Sequence, residues 1–147
     1  MPHTYAINFV HCVFSTKERA PTIAVEKREQ LWAYVAGISK NIGVELAAIG
    51  GMSDHIHLLI ALPSDKKLSD VVRDLKSNSS RWMRETSAEF SWQEGYGAFS
   101  VSPSQIPLVK EYIRNQAQHH EKRKFEDEFV AMLNKSGVSY DGKYVFG

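Results

Sequence analysis

Two histidines separated by one residue, in Asp54-His55-Ile56-His57-Leu58-Leu59-Ile60, are the first side chains in this sequence whose spacing could do chemistry. Along a strand, side chains alternate, so His55 and His57 share one face, about 7 Å apart, while Ile56, Leu58, Ile60 and Leu62 share the other. Two imidazoles side by side on the open face of a sheet can hold one divalent metal. The same spacing also arises in a merely polar strand face. Burying such rings uncompensated is costly, and a nearby metal or phosphate would offset that cost.

A second candidate lies in Glu111-Tyr112-Ile113-Arg114-Asn115-Gln116. Tyr112 and Gln116 stand at i and i+4 and stack on one helical face. The apolar stripe of that helix is Ile106, Val109, Ile113 and Ala117, so Tyr112 sits beside the stripe with its hydroxyl free to reach a neighbouring site. A tyrosine at such a boundary commonly packs its ring and wets its tip. With a reference pKa of about 10 it becomes a nucleophile only with help, which a metal and a hydrogen-bond acceptor supply.

Cations form two groups. Arg73, Lys76, Ser77, Ser80 and Arg84 fall in a narrow helical stripe opposite Leu75 and Trp82, and such a row can track phosphates or simply face solvent. Lys110, Arg114, Lys122, Arg123 and Lys124 make a second basic region near the tyrosine. Trp92 and Tyr96 are available to stack on bases, whereas Phe99 is better suited to core packing. The run Glu126-Asp127-Glu128 reads as a solvated helical face.

These residues need elements to hold them. Alternation from about Thr4 to Ser15, apolar on both sides, predicts a strand covered on both faces. Leu31, Tyr34, Val35, Ile38 and Ile42 predict a helix ended by Gly43. Val44 to Ile49 and His55 to Leu62 predict a hairpin through Gly50-Gly51 and Ser53-Asp54. A second helix spans Leu68 to Thr86, with Leu68, Val71, Val72, Leu75, Trp82 and Met83 on one side. A short strand, Ala98 to Val101, precedes a helix over Gln105 to His119 and a charged helix over Glu121 to Lys135. The order strand–helix–strand–strand–helix–strand predicts an α+β, ferredoxin-like (RRM-like) antiparallel sheet with helices on one face, followed by the tyrosine-bearing helix.

The 147 residues, 43% of them apolar, suit one domain over residues 1–147. A net charge of +1 means that any phosphate-binding surface must be local. The lone Cys12 excludes an internal disulfide, fits a reducing cytoplasm and reads as a small core residue. Neither a signal peptide nor a stretch long enough to span a bilayer is evident, so a soluble, unprocessed, cytoplasmic protein with no membrane partner is expected.

Taken together, His55-Ile56-His57 followed by Tyr112 and Gln116 resembles the single-tyrosine HUH transposases (TnpA-type) of small insertion sequences. The resemblance extends to Trp92-Gln93-Glu94-Gly95-Tyr96-Gly97-Ala98-Phe99-Ser100-Val101-Ser102, to Gln118-His119-His120 and to the tail Gly137-Val138-Ser139-Tyr140-Asp141-Gly142-Lys143-Tyr144. It implies that His55, His57 and Gln116 are metal ligands for Mg2+ or Mn2+ and that Tyr112 is the nucleophile. It further implies cleavage and rejoining of single-stranded DNA at hairpin-bearing element ends through a 5′-phosphotyrosine. A homodimer in which one subunit's tyrosine helix can complete its partner's site is also implied. Contacts to DNA are then expected from Arg73, Lys76, Arg84, Lys110 and Arg114.

Two other classes stay open on the sequence. A ferredoxin-like module could bind single-stranded nucleic acid without cutting it. A metal-dependent phosphoesterase could use water as the nucleophile and leave Tyr112 dispensable.

Overall fold

In the computed structural model, which describes residues 3–116 and 125–140, the first strand begins only at Phe9. Its pairing partners explain the late start. Phe9 stands opposite Ala61 on one side and Val101 on the other, and both neighbouring strands end there. Upstream, Tyr5 and Ile7 keep the alternating pattern but are 91% and 71% exposed, because no strand remains to pair with them.

The elements follow the expected order. They are β1 (Phe9–Ser15), α1 (Val25–Asn41), β2 (Glu45–Gly51), β3 (His55–Ala61), α2 (Leu68–Met83), β4 (Gly97–Val101), α3 (Ile106–Arg114) and α4 (Phe125–Lys135). Short 3-10 turns at Lys17–Arg19 and Pro103–Gln105 precede α1 and α3. The sheet runs β2-β3-β1-β4 with every neighbour antiparallel, the ferredoxin-like arrangement. The expected tyrosine helix, Gln105 to His119, ends earlier, at Arg114, where Asn115 leaves the helical conformation (φ −100°, ψ 29°); residues 117–119 of it and 121–124 of the expected final helix lie outside the described residues.

One face of the sheet carries α1 and α2. Leu31 and Val35 of α1, and Val71, Val72, Leu75 and Met83 of α2, bury against Cys12 and Phe14 of β1 and Ile56, Leu58 and Ile60 of β3. Each such side chain, fully withdrawn from water, contributes about 1.5–3 kcal/mol, which makes this layer the main stabilising core. Helix α1 stops at Asn41, and Gly43 turns the chain into β2 at φ 76°, a left-handed conformation that glycine adopts without strain. Tyr34 stays at the edge of this layer and stacks on Trp82 with ring centroids 4.8 Å apart.

The opposite face is not open, contrary to the expectation for the histidine pair. Helix α3 packs Ile113 against Ala48 of β2 and Leu59 of β3, with Ile106, Val109 and Tyr112 around them. A register shift between Leu46 and Ala48 keeps Ala48 aimed at α3. Helix α4 covers the remaining part through Phe125, Glu128 and Phe129. Among the described residues, no helix is long and apolar enough to cross a membrane.

Candidate active site

The histidines of β3 meet the expected phase. Ile56, Leu58 and Ile60 enter the α1–α2 core, which turns His55 and His57 to the α3–α4 face. Both rings are fully buried, with centroids 5.0 Å apart. Each ring has its Nδ1 occupied and its Nε2 aimed inward. His55 Nδ1 is 2.8 Å from Asp54 Oδ1, and a carboxylate accepts only, so His55 donates there. His57 Nδ1 is 2.8 Å from His11 Nε2, across from β1.

Gln116, two residues past the end of α3, comes to the same point. Its amide Nε2 donates to the Tyr112 carbonyl at 3.0 Å, which orients Oε1 toward His55 Nε2 at 3.2 Å. His55 Nε2 and Gln116 Oε1 thus face each other across the inner side of the cluster. Helix α4 adds Glu128, whose Oε1 is 2.9 Å from His57 Nε2 and 4.0 Å from His55 Nε2. Ligand atoms of His55, His57 and Glu128 all lie within 4.8 Å of one another. This donor set, two imidazole nitrogens with a carboxylate and a carboxamide oxygen, fits a divalent cation.

Tyr112 stands beside this cluster, half-buried. Its ring centroid is 5.6 Å from that of His57 and 6.0 Å from that of His11, edge to face in both cases. The approach of α3 depends on Gly50 of β2, which is paired with His57: a Cβ there would collide with the Ile113 carbonyl. Burial holds the His11 imidazole down at about 3, with repulsion from His57 adding to the effect and attraction to Glu128 opposing it. His11 is therefore neutral at ordinary pH.

His11, Asp54 and Glu128 were not singled out from the sequence. Asp54 was visible as the residue before His55 but read as turn chemistry. His11 shares the alternation phase that places it on the histidine face. The run Glu126-Asp127-Glu128 is not a wholly solvated face, contrary to the expectation: Glu128 is 1% exposed, whereas Asp127 is exposed and Glu126 pairs with Arg19.

The cationic stripe on α2 borders a cavity of about 450 Å³ between α2 and residues 91–96. Arg73 is exposed and pairs with Asp70 and Asp74 at 3.3 and 3.4 Å. Lys76 instead turns inward, donating to the Gln93 carbonyl at 2.9 Å and to that of Gly95, and burial lowers its pKa. Ser80 is buried, and Arg84 reaches the Phe90 carbonyl at 3.4 Å. Trp92, expected as a stacking platform, is a core residue set edge to face against Phe14 and Phe90, with its Nε1 donating to Ser79. Tyr96 stays exposed at the cavity. Lys110 and Arg114 lie on α3, half-buried and exposed respectively, while Lys122, Arg123, Lys124 and His119 fall outside the described residues.

Comparison with known proteins follows the same line. The family described as "Transposase IS200 like" matches residues 4–116. The ISDra2 transposase TnpA of Deinococcus radiodurans is 24% identical over 122 residues, covering 78% of this chain and 86% of the relative. A crystal structure of a protein described as a transposase from the same organism superposes with a TM-score of 0.64 at 25% identity, over 78% of this chain and 94% of that one. A REP-associated tyrosine transposase bound to a REP hairpin shares the fold, with a TM-score of 0.63 at 15% identity, over 80% of this chain and 72% of that one. The family match spans β1 through Gln116, the stretch that carries both histidines and the tyrosine helix, and the chain belongs to the IS200-like, TnpA-type transposases.

Proposed function

We propose that this transposase cleaves and rejoins single-stranded DNA at hairpin-bearing ends, with Tyr112 as nucleophile and His55, His57 and Gln116 as ligands of Mg2+ or Mn2+. The observation that carries the reading is the convergence of Gln116 Oε1 on His55 Nε2 at 3.2 Å, one helical turn from Tyr112. A Tyr-x-x-x-Gln helix serves a histidine pair only if both lie at one point, and a simple nucleic-acid-binding module has no need of that convergence.

When bound, the metal would polarise a non-bridging phosphate oxygen and offset the charge that develops during in-line attack. Asp54 and His11 hold the two imidazoles with Nε2 inward. Gln116, tied to the Tyr112 carbonyl of α3, keeps its oxygen in place. Tyr112 attacks phosphorus, leaving a 5′-phosphotyrosine and a free 3′-hydroxyl, and another 3′-hydroxyl reverses the step to join new ends. Arg73, Lys76, Arg84, Lys110 and Arg114 supply the phosphate-contacting surface, Lys76 through the 91–96 loop that it braces. The functional unit is one domain over residues 1–147, acting as a homodimer in the cytoplasm.

The test is incubation with labelled single-stranded hairpins from the sequences flanking the gene, with Mg2+ or Mn2+, and denaturing electrophoresis. A metal-dependent protein–DNA adduct, absent in Tyr112→Phe, is the expected result. Cleavage that persists in Tyr112→Phe without an adduct would assign the nucleophile to water instead.

A further inference from the structure

We propose that Glu128 is a fourth protein ligand of the metal centre, so that a bound divalent cation favours docking of α4 on the sheet. This inference rests on the metal reading of His55, His57 and Gln116 and extends it to a helix that reading does not use.

Three observations support it. Glu128 Oε1 reaches both inward nitrogens, at 2.9 Å from His57 and 4.0 Å from His55. The helix bearing it is seated on the same two rings, since Phe125, one turn earlier, stacks on His55 with centroids 4.2 Å apart and planes 18° from parallel. The sheet is shaped to receive that helix: at Gly97 of β4 a Cβ would stand 2.6 Å from the Phe129 ring.

A carboxylate oxygen placed beside two inward imidazole nitrogens can share one divalent cation with them. A divalent cation at that point would take Glu128, both imidazoles and Gln116 as ligands together. A carboxylate is also a hard oxygen donor, which biases an otherwise imidazole-rich site toward Mg2+ and Mn2+. Because the ligand sits on α4, the metal links β3, α3 and α4.

The experiment is titration of the full chain with MnCl2, reading free Mn2+ by electron paramagnetic resonance, for wild type, His57→Ala and Glu128→Gln. His57→Ala is expected to abolish binding, and Glu128→Gln to weaken it about tenfold or more. Wild-type affinity in His57→Ala would remove the metal reading, and the proposal with it. Loss in His57→Ala with unchanged affinity in Glu128→Gln would leave the metal reading standing and overturn the role of Glu128. A second measurement needs no variant: hydrogen exchange of amides 125–135 in wild type is expected to slow about tenfold with saturating MnCl2. Unchanged exchange in a protein that binds Mn2+ would overturn the coupling.

Discussion

His11 Nε2 lies 2.8 Å from His57 Nδ1, so a histidine of β1 fixes the ring of a histidine on β3 from behind. A cation at His57 Nε2 requires the ring proton on Nδ1, and neutral His11 accepts it. His11→Phe keeps the ring shape but removes the acceptor. It is expected to lower Mn2+ affinity about 10- to 100-fold, with His11→Gln recovering part of the loss. Equal affinities across the three proteins would show that His11 only fills space.

The same residue sets an acid limit. An unfolded histidine titrates near 6.5, while burial first, and His57 second, hold His11 at about 3 in the fold. The folded value is depressed, so the stabilising contribution is complete above pH 6.5 and is lost as pH falls toward 3. With a chelator present, Tm of wild type should fall through that window, and more steeply than Tm of His11→Phe. Parallel curves for the two proteins would contradict this.

Gly50 is expected to be intolerant for a steric reason. In Gly50→Ala the new methyl meets the Ile113 carbonyl, and α3 must lift. A loss of about 1–3 kcal/mol is expected, together with weaker Mn2+ binding as Gln116 withdraws. Gly37→Ala, on the exposed side of α1 with nothing within 4 Å, should instead stabilise by about 0.5–1 kcal/mol. Denaturant midpoints for the pair measure both.

His55 and His57 were legible because a period of two assigns a face without knowing the fold, and Tyr112 with Gln116 because a spacing of four does the same on a helix. Glu128 was not legible. In the sequence it is one of three consecutive acids, and it differs from Asp127 only because α4 crosses the sheet with one edge toward His57, 71 residues away. The extended start at Thr4 failed for the opposite reason: local alternation was present, but the partners it needed ended at Ala61 and Val101.

For DNA, the two α2 cations should separate. Arg73→Ala removes an exposed charge and should flatten the salt dependence of single-strand binding by about 0.7 in the log–log slope. Lys76→Ala breaks two bonds to the 91–96 loop and should lower affinity through the loop without the same change of slope. Fluorescence anisotropy over a salt series with a hairpin oligonucleotide distinguishes them, and identical slopes for the two variants would refute the distinction.

The enclosure of His55, His57, Gln116 and Glu128, none more than 2% exposed, has a kinetic meaning. Under the proposed chemistry, a phosphodiester gains the centre only from a conformer in which α4 has parted from the sheet and Glu128 has left the cation to His55, His57 and Gln116. If that conformer makes up about 1% of the population, apparent substrate affinity falls about a hundredfold below its intrinsic value. A strand that binds without favouring the parted form stays uncut. On that reading the docked form is latent, and selectivity for the correct ends would reside as much in prying the helix away as in recognising the sequence.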